Sequence, residues 1–140
     1  MLLICSGVSK SGSPAPKLII SFDDGYKDFI EYALPILSKK NIIPNQNIVP
    51  NCVENNLPPL NVLIKNFIDQ ASFDLISNLS IPFYDNFFTT NKEQLGLRIS
   101  KFIKNLNYEK QKIVHKEVVP QLYEFINFKP TQMMNKDDIN

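Results

Sequence analysis

Residues 17–50 carry the clearest pattern of apolar and polar positions in the chain. The run "LIISF", which ends at Phe22, is apolar and partly β-branched, and it predicts a strand buried on both faces, as in a parallel sheet. Apolar residues then recur at helical spacing: Phe29, Tyr32, Ala33, Ile36 and Leu37. The segment "NQNIVP", Asn45 to Pro50, predicts a second short strand. Together these elements predict a βαβ unit over 17–50, with a right-handed crossover.

The helix between these strands carries its own start and stop signals. Asp28 is a candidate N-cap, and Glu31 lies three residues later, where it would complete a capping box. Pro35 lies within the apolar stripe, so it either restarts the helix as a first-turn residue or kinks it. Lys39 and Lys40 suit the C-terminus, because the helix dipole favours positive charge there.

From residue 58 onward the pattern is mainly helical. Two apolar stripes at helical spacing predict helices: Leu60, Leu63, Ile64, Phe67 and Ile68 in one, and Leu95, Ile99, Phe102, Ile103 and Leu106 in the other. Residues 71–90 predict mixed turns, and 108–125 predict a helical region interrupted at Pro120. In "NKDDIN", Asn135 is a candidate N-cap, with Asp137 and Asp138 in a first helical turn.

Composition fits a single globular α/β domain. The chain has 140 residues, of which 44% are hydrophobic and 21% charged, close to globular averages. Its net charge of +1 and mixed charges give no sign of a nucleic-acid partner or of a polybasic membrane patch. No run reaches the ~20 apolar residues that cross a bilayer, so we expect no membrane span. Cys5 and Cys52 form no C-x-x-C pair, and whether they pair with each other is open.

Two adjacent carboxylates, Asp23 and Asp24, stand directly after the first predicted strand. Ligands of α/β proteins bind beyond the carboxyl ends of parallel strands, which is where this pair lies. Both cannot be buried and charged without a cation, because desolvation and mutual repulsion each raise a carboxyl pKa. Alternatively, Asp23 ends the strand and Asp24 forms an Asx-turn onto Gly25, which permits a tight turn. The residues alone leave both interpretations open.

In its strand–turn–helix setting, "SFDDGYKDFIEYALPIL" resembles the first motif, T-F-D-D-G, of the polysaccharide deacetylases, the NodB-homology family of carbohydrate esterases. The resemblance runs from Lys17 to about Pro50, with Ser21 where the family more often has Thr. The stretch "LPPLN" and its helix resemble an insertion of some members, and "MMNKDDIN" resembles the segment before the second motif. We therefore expect an N-terminal segment and linker (1–16), and a partial deacetylase domain (17–140). That domain comprises the βαβ unit (17–50), a mainly helical insertion (58–128) and the lead-in to the second motif (129–140).

The resemblance implies the N-terminal portion of a distorted (β/α) barrel and a metal-dependent hydrolase. It assigns Asp23 as the general base and Asp24 as a ligand of a divalent metal, usually zinc, which family members bind through Asp-His-His. The metal would polarise an acetyl carbonyl and lower the pKa of bound water toward ~7. The implied partners are polysaccharides or oligosaccharides with N- or O-acetyl groups. The implied location is extracytoplasmic or the cell envelope, although residues 1–16 resemble a frayed end or short strand more than a signal peptide.

The two histidine ligands, which the family draws from an H-x-x-x-H motif, are not among these residues. The chain has one histidine, His115, which we interpret as a helix-surface or groove-lining residue. Because a stable zinc site needs three protein ligands, we expect an incomplete fragment that is inactive or nearly so by itself. A degenerate, non-catalytic glycan-binding fragment of the same fold and a helical interaction module remain alternatives.

Three further groups of residues are weaker candidates. The aromatic cluster of Phe83, Tyr84, Phe87 and Phe88 could stack on sugar rings, but core packing is the favoured interpretation. We expect Met133 and Met134 to serve packing rather than ligation. We expect Asn45 to Asn47 to open a strand near the site rather than to supply a catalytic amide.

Overall fold

The computed structural model describes residues 2–5, 18–85, 91–125 and 127–139. The chain divides into two units: Met1–Leu57 together with Gln132–Asn140, and Pro58–Thr131. The first unit contains the strands and the second is helical in its described part. The fold therefore mixes helices and strands, and two of the strands are parallel.

The sheet of the first unit has the order β1 (Leu2–Cys5), β2 (Leu18–Phe22) and β3 (Asn45–Gln46). β2 and β3 are parallel, with Ser21 opposite Asn45, which confirms the predicted parallel pairing. β1 is antiparallel to β2. The prediction that β2 is buried on both faces is wrong, because Ile19 is 49% exposed. The second strand is also shorter than predicted, since it ends four residues before Pro50.

The first helix departs from the predicted regular geometry. Residues Phe29–Ala33 form a π-helical segment, in which the Leu34 N–H donates to the Phe29 carbonyl, and α1 (Leu34–Lys39) follows. Pro35, in the first turn of α1, has no N–H for the Glu31 carbonyl, which accounts for the wider turn just before it. The extra residue in that turn rotates the positions after it. The predicted stripe is therefore divided: Phe29 and Leu37 are buried, whereas Tyr32 and Ile36 are exposed.

The predicted capping box at Asp28 and Glu31 is wrong. Asp28 already has helical dihedral angles (φ −59°, ψ −25°) and its side chain makes no cap hydrogen bond. The helical turn begins one residue earlier, at Lys27, so Asp28 lies inside it. The three-residue spacing between Asp28 and Glu31 does not by itself produce a capping box, because the N-cap residue must have an extended backbone.

Two short helical elements complete the first unit. α2 (Pro50–Asn55) was not predicted from the sequence, although Pro50 in its first turn and Asn56 in the left-handed conformation after it are ordinary helix boundaries. The 3₁₀ turn Lys136–Asp138 begins at Asn135, whose side chain accepts from the N–H groups of the second and third helical residues. The predicted N-cap at Asn135 is therefore confirmed.

The second unit consists of α3 (Leu60–Gln70), α4 (Phe73–Asn78), α5 (Lys92–Asn105) and α6 (Tyr108–Phe125). α3 packs mainly against α5 and also contacts α6. The most deeply buried side chains lie on these three helices: Leu63, Ile64, Phe67, Ile68, Leu95, Ile99, Ile103, Val114, Val118 and Leu122. Both predicted apolar stripes therefore supply the core of this unit.

Two predictions for the second unit are wrong. Residues 71–90 contain α4, which begins with Ser72 as an N-cap that accepts from the Leu75 N–H, while 86–90 lie outside the described residues. α6 continues through Pro120 instead of being interrupted there. Val118 and Leu122, both fully buried, flank Pro120, and their packing compensates for the missing backbone hydrogen bond.

Candidate functional site

The carboxylates Asp23 and Asp24 lie on the turn that leaves β2. Asp24 (φ 71°) and Gly25 (φ 79°) are both in the left-handed conformation, which short polar residues and glycine tolerate best. A Cβ at position 25 would lie 3.2 Å from Ile48 Cγ2, so both the dihedral angle and the close approach favour glycine. The prediction that Gly25 permits a tight turn is confirmed.

Asp23 is exposed and is held from the neighbouring strand. The Asn47 side chain donates from Nδ2 to Asp23 Oδ1 at 2.9 Å. Asn47 directly follows β3, and its backbone N–H donates to the Phe22 carbonyl at 2.8 Å. Because β2 and β3 are parallel, the segments that follow them leave the sheet at the same edge. This brings the Asn47 side-chain amide to the Asp23 carboxylate.

A small polar network fixes the Asn47 amide in turn. Ser21 is buried, and its Oγ accepts from Asn45 Nδ2 at 3.0 Å and from Asn47 Nδ2 at 3.2 Å. Asn45 Nδ2 also donates to Asn47 Oδ1 at 3.2 Å. Three side chains from the two strand ends, those of Ser21, Asn45 and Asn47, therefore set the orientation of Asp23. Residues 45–47 were expected near the site, but their contact with Ser21 was not predicted, because only the strand register determines it.

Asp24 has a different environment. It is half-buried, and among the described residues its carboxylate has no hydrogen-bond partner, so the Asx-turn considered above is not formed there. Burial and then the charge of Asp24 raise the pKa of the Cys52 thiol. Burial, Asp24, Cys52 and Asp28, in that order, raise the pKa of the Tyr26 phenol. Both groups are therefore neutral near pH 7, and Cys52 is a free and buried thiol.

The exposure of the two aspartates removes the electrostatic conflict that was expected from their adjacency. Asp23 is exposed and Asp24 is only half-buried, so water solvates both charges and no cation is needed to balance them. Among the described residues, no group of three or more His, Cys, Asp or Glu side chains could hold a metal ion. The two carboxylates therefore do not form a complete zinc site with the described residues.

The remaining candidate residues lie elsewhere or serve packing. His115 is an exposed residue of α6 in the helical unit, as predicted for a surface histidine.

Phe83 is 50% exposed with a left-handed backbone (φ 66°), while Tyr84 packs on Phe102 with ring centroids 5.0 Å apart. Phe87 and Phe88 lie outside the described residues. Met133 and Met134 are buried, which confirms their packing role: their relative exposures are 2% and 3%.

Residues 132–138 contact the carboxylate turn from the other end of the sequence. The Met134 N–H donates to the Gly25 carbonyl at 2.8 Å, and the Lys27 N–H donates to the Gln132 carbonyl at 3.0 Å. The Lys27 ammonium pairs with both oxygens of Asp138, at 2.5 and 2.6 Å. Nothing in the local pattern of either segment indicates this contact.

Comparison of the chain with models of known protein families, with characterised proteins and with solved structures finds no match. In the part of the chain that the structure describes, no helix combines the length and apolar character needed to cross a membrane.

Proposed function

We propose that this chain supplies the general base and one metal-ligand carboxylate of a deacetylase that acts on N- or O-acetylated polysaccharides, within a NodB-like barrel. One observation carries the proposal: Asp23 and Asp24 share the carboxyl-end edge of two parallel strands, and the neighbouring strand end orients Asp23 through Asn47. The "SFDDGY" motif supplies the chemical class, and the geometry supports a division of roles between the two carboxylates.

Asp23 has the arrangement that a general base needs. Asn47 binds Oδ1, whereas Oδ2 has no hydrogen-bond partner among the described residues and the side chain is exposed. One oxygen is therefore held in place while the other can accept a proton from water. A positioned base of this kind typically contributes ~10²–10⁴ in rate.

Asp24 is the candidate metal ligand. Asp24 is half-buried, its charge acts on Tyr26 and Cys52, and among the described residues it makes no hydrogen bond that would compete with a cation. A divalent ion, when bound, polarises an acetyl carbonyl and acidifies water. The other ligands are not supplied by the described residues, so the chain by itself is expected to be inactive or nearly so.

The proposal is tested by acetate release from chitin oligosaccharides and acetylated xylan. The assay uses the complete gene product with zinc, in its native form and as the variants Asp23→Asn and Asp85→Asn. Asp85 is an exposed aspartate of the helical unit, so its variant matches the change in charge without touching the turn. We expect Asp23→Asn to lower the rate by ~10²–10⁴ and Asp85→Asn to leave it unchanged.

Two results would contradict the proposal. One is the absence of acetate release by the complete product on either substrate; if the product nevertheless binds the oligosaccharide, the non-catalytic glycan-binding alternative is favoured. The other is equal activity of Asp23→Asn and Asp85→Asn, which would remove Asp23 from the mechanism.

A further inference from the structure

The turn that carries Asp23 and Asp24 is held by a segment more than a hundred residues away in sequence. We call residues 132–138 the latch. Its backbone lies antiparallel to the residues after the turn, with Tyr26 opposite Met133. The hydrogen bonds to the Gly25 carbonyl and from the Lys27 N–H lie on either side of that pair. The side chains of Met133 and Met134, both in the latch, are buried.

The ion pair between Lys27 and Asp138 completes the latch. Lys27 contacts both carboxylate oxygens, while Asp138 Oδ2 also accepts from the Asn135 N–H at 2.8 Å. The Asn135 side chain accepts in return from the N–H of Asp138 at 3.1 Å. The capping box therefore holds the Asp138 carboxylate against the Asn135 N–H independently of Lys27, so little side-chain freedom is lost when the pair forms.

The turn needs this support because of its backbone. Asp24 holds a left-handed conformation, which costs free energy even for a short polar residue and persists when the surrounding structure supports it. Residues before the turn are fixed by β2, and the latch contacts the three positions after Asp24: Gly25, Tyr26 and Lys27. The turn is therefore constrained on both sides.

We propose that Lys27 and Asp138 are positioning residues, which hold the carboxylate turn in the conformation that brings Asp23 to Asn47. The catalytic use of this turn rests on the proposed function, but the positioning of Asp23 does not. Loss of the pair should loosen the latch contacts and weaken the hydrogen bond between Asn47 and Asp23, while the sheet remains paired.

The helical unit offers a matched control. Lys65 and Asp69 also pair at 2.6 Å, but they lie one turn apart in α3 and connect no distant segments. Lys65→Met therefore removes a similar contact without any effect on the turn. Lys27→Arg is the conservative variant, because a guanidinium can bind both oxygens of Asp138.

The experiment is residue-resolved hydrogen exchange by NMR on the 140-residue chain. Lys27→Met should speed exchange of the amides at positions 27 and 134 by roughly tenfold, the effect of losing one charge-assisted hydrogen bond. The Asn47 backbone amide, which reports β2–β3 pairing, should keep its protection. The Asn47 side-chain amide signals should move toward their positions in Asp23→Ala. Lys27→Arg should restore both readouts, and Lys65→Met should change neither.

The proposal is overturned if all these backbone amides accelerate together, because the pair would then stabilise the whole unit without acting on the turn. It is also overturned if the latch amides accelerate while the Asn47 side-chain signals stay in place. The measurement uses neither metal nor substrate. Absence of deacetylase activity would therefore refute the proposed function and leave this result standing.

Discussion

The two units of the protein are stabilised by different kinds of contact. The helical unit buries a continuous apolar core, in which Ile64, Phe67 and Ile99 have no exposed surface. The sheet unit instead contains the one buried polar residue among those described, Ser21. The comparison indicates that packing determines the helical unit, whereas specific polar and backbone contacts determine the carboxylate turn.

The largest expected difference concerns phenylalanine truncation in the two units. Phe67 is fully buried against Phe128 (ring centroids 5.7 Å), whereas Phe29 keeps 7% exposure and packs on Phe22. We expect Phe67→Ala to lower the free energy of unfolding by about 3–5 kcal/mol, and Phe29→Ala to cost less, because its site can take up water. Urea unfolding measures both values. An equal or larger cost for Phe29→Ala would contradict the contrast between the units.

The second prediction compares Gly25 in the carboxylate turn with Gly96 in the helical unit. Gly25→Ala should destabilise by about 1–2 kcal/mol, because alanine resists the left-handed conformation and its Cβ would crowd Ile48. Gly96, in α5, has helical geometry, and a Cβ there meets Lys65 Cγ at 3.1 Å, the stem of a flexible side chain. Gly96→Ala should therefore be neutral, or stabilising by up to about 1 kcal/mol. Thermal unfolding of both variants checks the difference in sign.

The third prediction concerns asparagines with equivalent chemistry in different settings. Asn47 connects two strand ends, whereas Asn55 donates only to Asn51, one turn away in α2. Asn47→Ala should cost about 1 kcal/mol, because it removes hydrogen bonds to both Ser21 and Asp23. Asn55→Ala should cost less than about 0.5 kcal/mol. If chemical denaturation gives equal losses, the network does not stabilise the strand ends.

The smallest expected effect is a dependence on pH. The Asn135 N–H and then the Lys27 side chain lower the pKa of Asp138 in the folded protein. A lowered folded pKa means that this stabilisation is complete above the unfolded pKa, about 3.9, and is lost as pH falls through the folded value. The difference in free energy of unfolding between the native chain and Asp138→Asn should therefore be larger at pH 7 than at pH 3. A difference that grows on acidification would contradict this account.

Sequence predicted the features that depend on local order. The apolar stripes around Phe67 and Ile99 follow the helical period and became the core of the helical unit, and Asn135 carries a local capping signal. The π-helical segment before Pro35 was not predictable from apolar spacing, because that spacing assumes a regular helix. The parallel pairing of β2 and β3 was predictable in type, but not the register that brings Asn45 and Asn47 to Ser21.

The least predictable contact is the one between Lys27 and Asp138. Each residue has an ordinary local role, in a first helical turn and in a capping box, and 111 positions separate them. Only the folded chain brings them together. The surroundings of Asp23 and Asp24 were also not predictable. Their adjacency predicted one shared electrostatic conflict, whereas the turn gives each carboxylate different neighbours.

The central claim is that these two carboxylates have different roles, and zinc content of the complete gene product tests it most directly. Zinc is measured by mass spectrometry in Asp23→Asn, Asp24→Asn and the Asp85→Asn control. Asparagine tolerates the left-handed conformation at position 24, so the turn itself should survive that change. The account predicts that Asp24→Asn loses zinc while Asp23→Asn and Asp85→Asn retain it. Equal zinc content in all three variants would contradict the account.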